Sequence, residues 1–245
     1  MTQPLLVIDL GRMQYAAALE FQRSLCRARM DGLISDDLLL LVEHPPVITL
    51  GRSTKPGSLP IAADALSARG VEVFEVERGG DVTCHEPGQL VGYPILDLQR
   101  LRPDLHWYLR ELEGALIDGL ATLGVEATRI PGRTGVWAGS RKIASIGIHV
   151  KQWITFHGFA LNVTNDLRGF DLIVPCGLPD VEMTSVAQEV ERSGGPMIDL
   201  EERTQAAIIA ALGRRFDRMP GLAELGDLPP LLAGSGVDHA VTSCP

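Results

Sequence analysis

Apolar positions along this chain come in short runs, in alternating stretches and, in three places, at helical spacing. Residues 5–10 form a short apolar run that predicts a first strand. Residues 38–42 form a continuous one, closed by His44-Pro45-Pro46, as suits a buried central strand ending in a turn. Between them Tyr15, Ala18, Leu19, Gln22, Leu25 and Cys26 recur at the period of a helix over 13–29. The clearest helix is 104–123, where Leu105, Leu109, Leu112, Leu116, Leu120 and Leu123 make one stripe and Gly124 supplies the stop. A third runs over 200–216, with Ala206, Ile209, Leu212 and Phe216 inward, and shorter ones are expected at 61–68 and 184–191. Ser185 with Gln188, and Asp199 with Glu202, have capping-box spacing. Further strands are expected at 47–50, 71–76, 125–130 and 134–138. Residues 143–150 and 154–163 pair as a hairpin across the connection 151–153. In its first arm Ala144, Ile146, Ile148 and Val150 share an apolar face, while Ser145, Gly147 and His149 make the other face small and polar. In the second arm Thr155, His157, Phe159, Leu161 and Val163 share one parity.

Composition adds limits. The 245 residues are 45% hydrophobic and 22% charged, ordinary for a globular protein with a sizeable core. With no repeat and no second core, one domain is expected over 1–218, followed by a Pro/Gly-rich tail, 219–245, that is peripheral or disordered. A net charge of −9 argues against a general nucleic-acid binder. The N-terminal residues lack the positive region of a secretory signal, and no apolar run approaches the ~18–20 residues of a membrane helix. Cys26, Cys84, Cys176 and Cys244 are scattered without metal-ligand spacing, so neither a zinc site nor a disulfide framework is expected. The expected location is the cytoplasm, with reduced thiols. Cys26 lies on its helix stripe as a core thiol, and Cys244 in the tail is incidental.

Candidate chemistry concentrates in two regions. In the block 78–98, Gly79-Gly80 lets backbone approach a ligand, and Asp81, Thr83 and His85 point the same way if the stretch is extended. Ser145 and Gly147 are what a strand shows where a ligand lies against it. Cys176, between Pro175 and Gly177, reads either as a packed thiol or as a nucleophile exposed by a turn. A free thiol is only weakly ionised at neutral pH, so the second reading needs a basic helper. Lys142 is one candidate and a solvent-facing strand lysine is its plain alternative, while His85, His149 and His157 compete for the same role. His106 reads as a surface residue. No phosphate-binding loop, dinucleotide fingerprint or G-x-S-x-G elbow occurs.

Three blocks together carry a family resemblance: R-G-G-D-V-T-C-H-E-P-G-Q-L-V-G-Y-P (78–94), G-V-W-A-G-S-R-K-I-A-S-I-G-I (135–148), and H-G-F-A-L-N-V (157–163) continuing to P-C-G (175–177). They resemble the lipoyl(octanoyl) transferases of lipoate biosynthesis. The resemblance implies a single α/β domain like the biotin and lipoate protein ligase catalytic fold, with a larger and a smaller mixed β-sheet flanked by helices. It implies that Cys176 takes an octanoyl group from acyl carrier protein as a thioester and passes it to a lysine ε-amine of a lipoyl domain, with Lys142 as acid and base. The implied acyl-site residues are Arg78, Gly79, Gly80, Asp81, Val82, Thr83, Cys84, His85, Ser145, Ile146, Gly147, Gly158, Phe159 and Ala160. No cofactor, metal or ATP is implied, since the acyl donor arrives on the carrier's phosphopantetheine. The implied partners are acyl carrier protein, the lipoyl domains of 2-oxoacid dehydrogenase complexes and the glycine cleavage H protein, with no nucleic acid and no membrane. Cys84 stands where the family usually has an aromatic residue and Glu86 where it has glycine, which puts the width of the acyl pocket and the preferred chain length in question. Because the partners are acidic, a local basic rim is expected from Arg52, Lys55, Arg78, Arg133, Arg141 and Lys151. Charge reversal at Arg133 and Arg141 is then expected to raise the apparent KM for acyl carrier protein.

Overall fold

The computed structural model describes residues 3–174 and 181–229. Eleven strands and five α-helices follow one another within them. They are β1 (Gln3–Arg12), α1 (Tyr15–Met30), β2 (Asp37–Glu43), β3 (Val47–Leu50), α2 (Ala63–Ser67), β4 (Glu72–Glu75), β5 (Val82–His85), β6 (Gln89–Ile95) and α3 (Leu105–Thr122). Then come β7 (Thr128–Ile130), β8 (Arg133–Ala138), β9 (Arg141–Lys151), β10 (Ile154–Asn162), α4 (Val186–Ser193), α5 (Leu200–Arg215) and β11 (Arg218–Leu222). An eight-stranded sheet has the order β11-β1-β2-β6-β10-β9-β8-β7, and a three-stranded one the order β4-β3-β5. Both are mixed: β1 runs parallel to β2 and β11, and β3 parallel to β4, while the remaining pairs are antiparallel. This is the expected α/β class, with a larger and a smaller mixed sheet.

Burial explains the run at 38–42. Leu39 and Leu41 pack under α3 and α5, while Leu38, Leu40 and Val42 pack under α1. A strand covered on both faces has no polar side to alternate with. The stripe of α1 is buried as expected, including Cys26, whose thiol burial pushes up to about 11. Tyr15 and Leu19 at its N-terminal end also meet Val47 and Val76, so α1 joins the two sheets.

Four expectations shift. In α3 the first turn overhangs the sheet: Leu105 is 44% exposed, and Tyr108, buried against Phe216, makes the contact instead. Strand 125–130 shortens to β7, because the Val125 N–H closes the helix on Leu120 O while Gly124 N–H bonds Ala121 O. Ser185 caps α4 by accepting from Gln188 N–H, but Asp199 sits at φ +50° and makes no cap bond to α5. On α5 the buried positions are Leu200, Thr204, Ile208, Ala211, Leu212 and Gly213, so the expected Leu212 and, just beyond the helix, Phe216 are inward, while Ile209 is half-buried and Ala206 exposed. The boundary at 218 also needs correction. Residues 218–222 are the edge strand β11 on β1, where Pro220 costs no inner ladder bond, and Leu228 returns to the core. The rest of the expected tail, 230–245, lies outside the described residues.

Candidate active site

β9 and β10 are joined by a two-residue turn, Gln152-Trp153, with both φ values positive, the geometry that matches strand twist. The hairpin puts Ser145 opposite Ala160 and Gly147 opposite Gly158. These four small positions floor a cavity of about 470 Å³, within the range of small-molecule sites. Ile146, Phe159, Val82 and Val91 supply apolar wall. Asp81, Thr83 and His85 all line it from one side of β5, as their shared parity predicts, and Arg78 and Gly80 precede them.

Two of the expected acyl-site residues do other work. Gly79 is absent from the lining: its N–H bonds Ile148 O at 2.8 Å and docks the 78–81 loop on β9. That docking explains Gly147, where a Cβ would come within 2.9 Å of Gly79 O and Arg78 Cδ. Cys84 points away from the cavity, into the core of the small sheet with Ile48, Leu66, Val82 and Phe170. Burial also raises its thiol pKa, which disfavours the thiolate there. The question its identity raised about pocket width therefore does not arise at the cavity wall.

Lys142 lines the cavity from β9, an inner strand, and is 3% exposed, which excludes the solvent-facing alternative. Its Nζ stands 5.6 Å from the Trp137 ring centroid. The Lys142 main chain bonds Glu182 O and Thr184 N–H, so the chain re-enters beside this residue. On the other flank Val174 N–H bonds Ser58 O, and Ser58 Oγ donates to Asp81 of the cavity wall. Cys176 lies between these flanks, outside the described residues.

The competing histidines differ in surroundings. His85 is buried, its Nδ1 2.8 Å from Gln89 Oε1, and burial pushes its pKa down to about 3. His157 takes φ +56° inside β10, which turns its side chain off the face of Phe159 and Leu161 and into the cavity lining. Its N–H bonds Gln22 Oε1, and burial lowers its pKa despite Glu77 3.8 Å from Nε2. His149 bonds Glu77 O and does not line the cavity. Burial thus holds the two lining histidines neutral near pH 7.

Tyr15 and Tyr93 complete the inner wall, with Tyr15 stacked 5.9 Å from His85 and Tyr93 bonded to His44 at 2.8 Å. In the sequence Tyr15 falls on the helix stripe and Tyr93 within the block 78–94, and neither has a local pattern that marks it as a wall residue. The basic rim also contracts. Arg78 is buried and bonded to Thr49, and Arg141 forms a bidentate pair with Glu189. Arg52 and Lys151 are exposed away from the cavity, leaving Lys55 and Arg133 as the exposed basic residues at its mouth. Among the described residues no cluster of metal-ligating side chains occurs, and no helix is long and apolar enough to cross a membrane.

The sequence matches the lipoyl protein ligase A/B catalytic domain over residues 14–210. It is 49% identical to an octanoyltransferase of Acidobacterium capsulatum, over 93% of this chain and 96% of that one. It is 53% identical to an octanoyltransferase of Gloeobacter violaceus, over 86% and 90%. In fold it is similar to a putative lipoate protein ligase of Thermoplasma acidophilum with bound lipoic acid, at TM-score 0.73 and 16% identity over 99% of this chain and 98% of that one. A lipoate-protein ligase A bound with ATP aligns at TM-score 0.71 and 15% identity, over 100% and 97%. The matched segment spans every strand from β2 to β10, and with it the cavity described above, so the chain belongs to the lipoyl protein ligase A/B catalytic-domain family, among its octanoyltransferases.

Proposed function

We propose that this protein transfers an octanoyl group from acyl carrier protein to a lysine of a lipoyl domain through a thioester on Cys176. The observation that carries the reading is Lys142: a buried amine in the cavity wall whose main chain holds one flank of the segment containing Cys176. In the first step the Cys176 thiolate attacks the donor's thioester carbonyl, and the phosphopantetheine thiol leaves with a proton from Lys142. In the second the acceptor lysine amine attacks the acyl-enzyme, Lys142 takes its proton, and the Cys176 thiolate departs. Thioester exchange is nearly neutral and aminolysis is downhill, so no ATP enters. The apolar strip of Val82, Val91, Ile146 and Phe159 suits an acyl chain, and Lys55 and Arg133 suit acidic partners at the mouth. The acceptors are the lipoyl domains of 2-oxoacid dehydrogenase complexes and the glycine cleavage H protein, met in the cytoplasm.

Intact mass after incubation with octanoyl-acyl carrier protein tests this. The expected result is one added octanoyl group, absent from Cys176→Ala, strongly reduced in Lys142→Ala, and discharged by a lipoyl domain without ATP. An unmodified protein that transfers octanoate only when ATP is supplied would make it a ligase instead.

A further inference from the structure

The end of the cavity away from Lys142 is lined by hydrogen-bonding groups that the reaction scheme does not use. Gly92 stands opposite Phe159 and Phe159 opposite Ile146, so the next residue of β6, Tyr93, lies level with Gly147. That level is five residues beyond Lys142 along β9, about 16 Å away at the ~3.3 Å rise of a strand. Tyr15, His44, His85 and Tyr93 pack there as one cluster of rings, with neighbouring centroids 5.2 to 6.0 Å apart. Tyr15, His85 and Tyr93 line the cavity.

The surroundings fix the direction of each hydrogen bond in this cluster. Asn162 Nδ2 donates to Thr184 O, which leaves Asn162 Oδ1 to accept from Gln89 Nε2. Gln89 Oε1 is then the acceptor for His85, so His85 carries its proton on Nδ1 and has a bare lone pair on Nε2. His85 is 6% exposed, and its Nε2 bonds no described residue. In the same way His44 Nδ1 donates to Met13 O, so the Tyr93 hydroxyl gives its proton to His44 Nε2. The Tyr15 hydroxyl, on a side chain 2% exposed, bonds no described residue either. The cavity is thus offered an acceptor at His85 and a donor at Tyr15, on rings stacked 5.9 Å apart. A plain octanoyl chain ends in a methyl group, which would displace water from both and bond neither, and buried polar groups left unpaired are costly.

We propose that this end of the cavity is a subsite for a hydroxyl at the far end of a medium-chain acyl group, so that the protein takes ω-hydroxyacyl chains as well as octanoyl ones. This rests on the transferase reading for placing the acyl carbonyl at Lys142, and goes beyond it in the chemistry of the chain. A terminal hydroxyl donates to His85 Nε2 and accepts from the Tyr15 hydroxyl. A terminal carboxylate would set its lone pairs against that of His85, so the neutral group is the one that fits.

The test is equilibrium binding of ω-hydroxyoctanoate and of octanoate, by calorimetry, to the wild-type protein and to Tyr15→Phe. Because no described residue bonds the Tyr15 hydroxyl, Tyr15→Phe removes the donor without removing a hydrogen bond of the fold. The expected result is ω-hydroxyoctanoate bound about tenfold more tightly than octanoate by the wild type, and less than about threefold more tightly by Tyr15→Phe. Equal binding of the two acids, tighter binding of octanoate, binding of neither, or a preference unchanged in the variant would overturn the proposal. The same preference is expected in kcat/KM for the two chains presented on acyl carrier protein. If neither carrier-bound chain is transferred, the transferase reading fails separately, and the binding ratio still judges the subsite.

Discussion

Lys142 reaches the cavity because residue 135 has no side chain. A Cβ on Gly135 would stand 2.8 Å from Lys142 Cε and 2.6 Å from Ala144 O, and its φ of +125° suits glycine alone. The residue is held there by buried Glu113, which accepts from Gly135 N–H at 3.1 Å while pairing with Arg110 and Arg129. Gly135→Ala is therefore expected to push the Lys142 side chain out of place and lower kcat at least about tenfold, beyond the change in unfolding midpoint. Steady-state rates beside a thermal melt check this. A melt shifted with kcat intact would show that Lys142 tolerates the crowding. His157 makes the same point in reverse. Its left-handed backbone breaks the alternation of β10, so that a ring which parity assigns to the face of Phe159 and Leu161 lines the cavity instead.

At the scale of elements, β9 organises the site from its ends as well as its middle. Arg141 at its start reaches across to α4 through the two-bond pair with Glu189. That pair changes what charge reversal should do. Arg141→Glu sets two carboxylates face to face, so its expected effect is loss of stability with little change in donor KM. Lys55→Glu and Arg133→Glu, on exposed residues at the cavity mouth, are expected to raise KM for acyl carrier protein several-fold, with the effect shrinking at high salt. Equal effects from all three would mean that steering follows net charge and not this mouth. β11 shows what an edge element can hide: Arg218 anchors it by donating to buried Asp37, which also binds Arg29 of α1. Removing one member of such a buried set would strand the others at a cost of about 3–5 kcal/mol.

For the molecule as a whole, the buried rings between the two sheets set an acid limit. Burial lowers the pKa of His44 to about 4 and of His85 to about 3, against 6.5 in an unfolded chain. Between those values the unfolded state binds more protons than the folded one, so stability rises with pH. The contribution is fully present above pH 6.5 and is lost as pH falls toward 4, on the order of 3 kcal/mol for His44 alone. Urea unfolding between pH 5 and 6.5 is expected to show stability climbing with pH. A flat profile there would mean that these two histidines are protonated in the folded protein.

The local pattern was enough to place most strands and the long helices, because burial of one face writes a period of two or 3.6 into the residues that make it. It also singled out Ser145 and Gly147 of the cavity floor, whose small size is legible wherever it sits, and left Lys142 with two readings open, while Gly158 and Ala160 came only with the family resemblance. Tertiary structure decided what those residues meet. Cys84 and Thr83 are neighbours in sequence, yet one packs in the small core and the other lines the cavity, since successive strand residues face opposite sides. Arg141 looked like free charge until α4 brought Glu189 to it across 48 positions. Residues 218–222 looked peripheral until β1 supplied the edge they complete. Such contacts join segments far apart in the chain, and no local period records them.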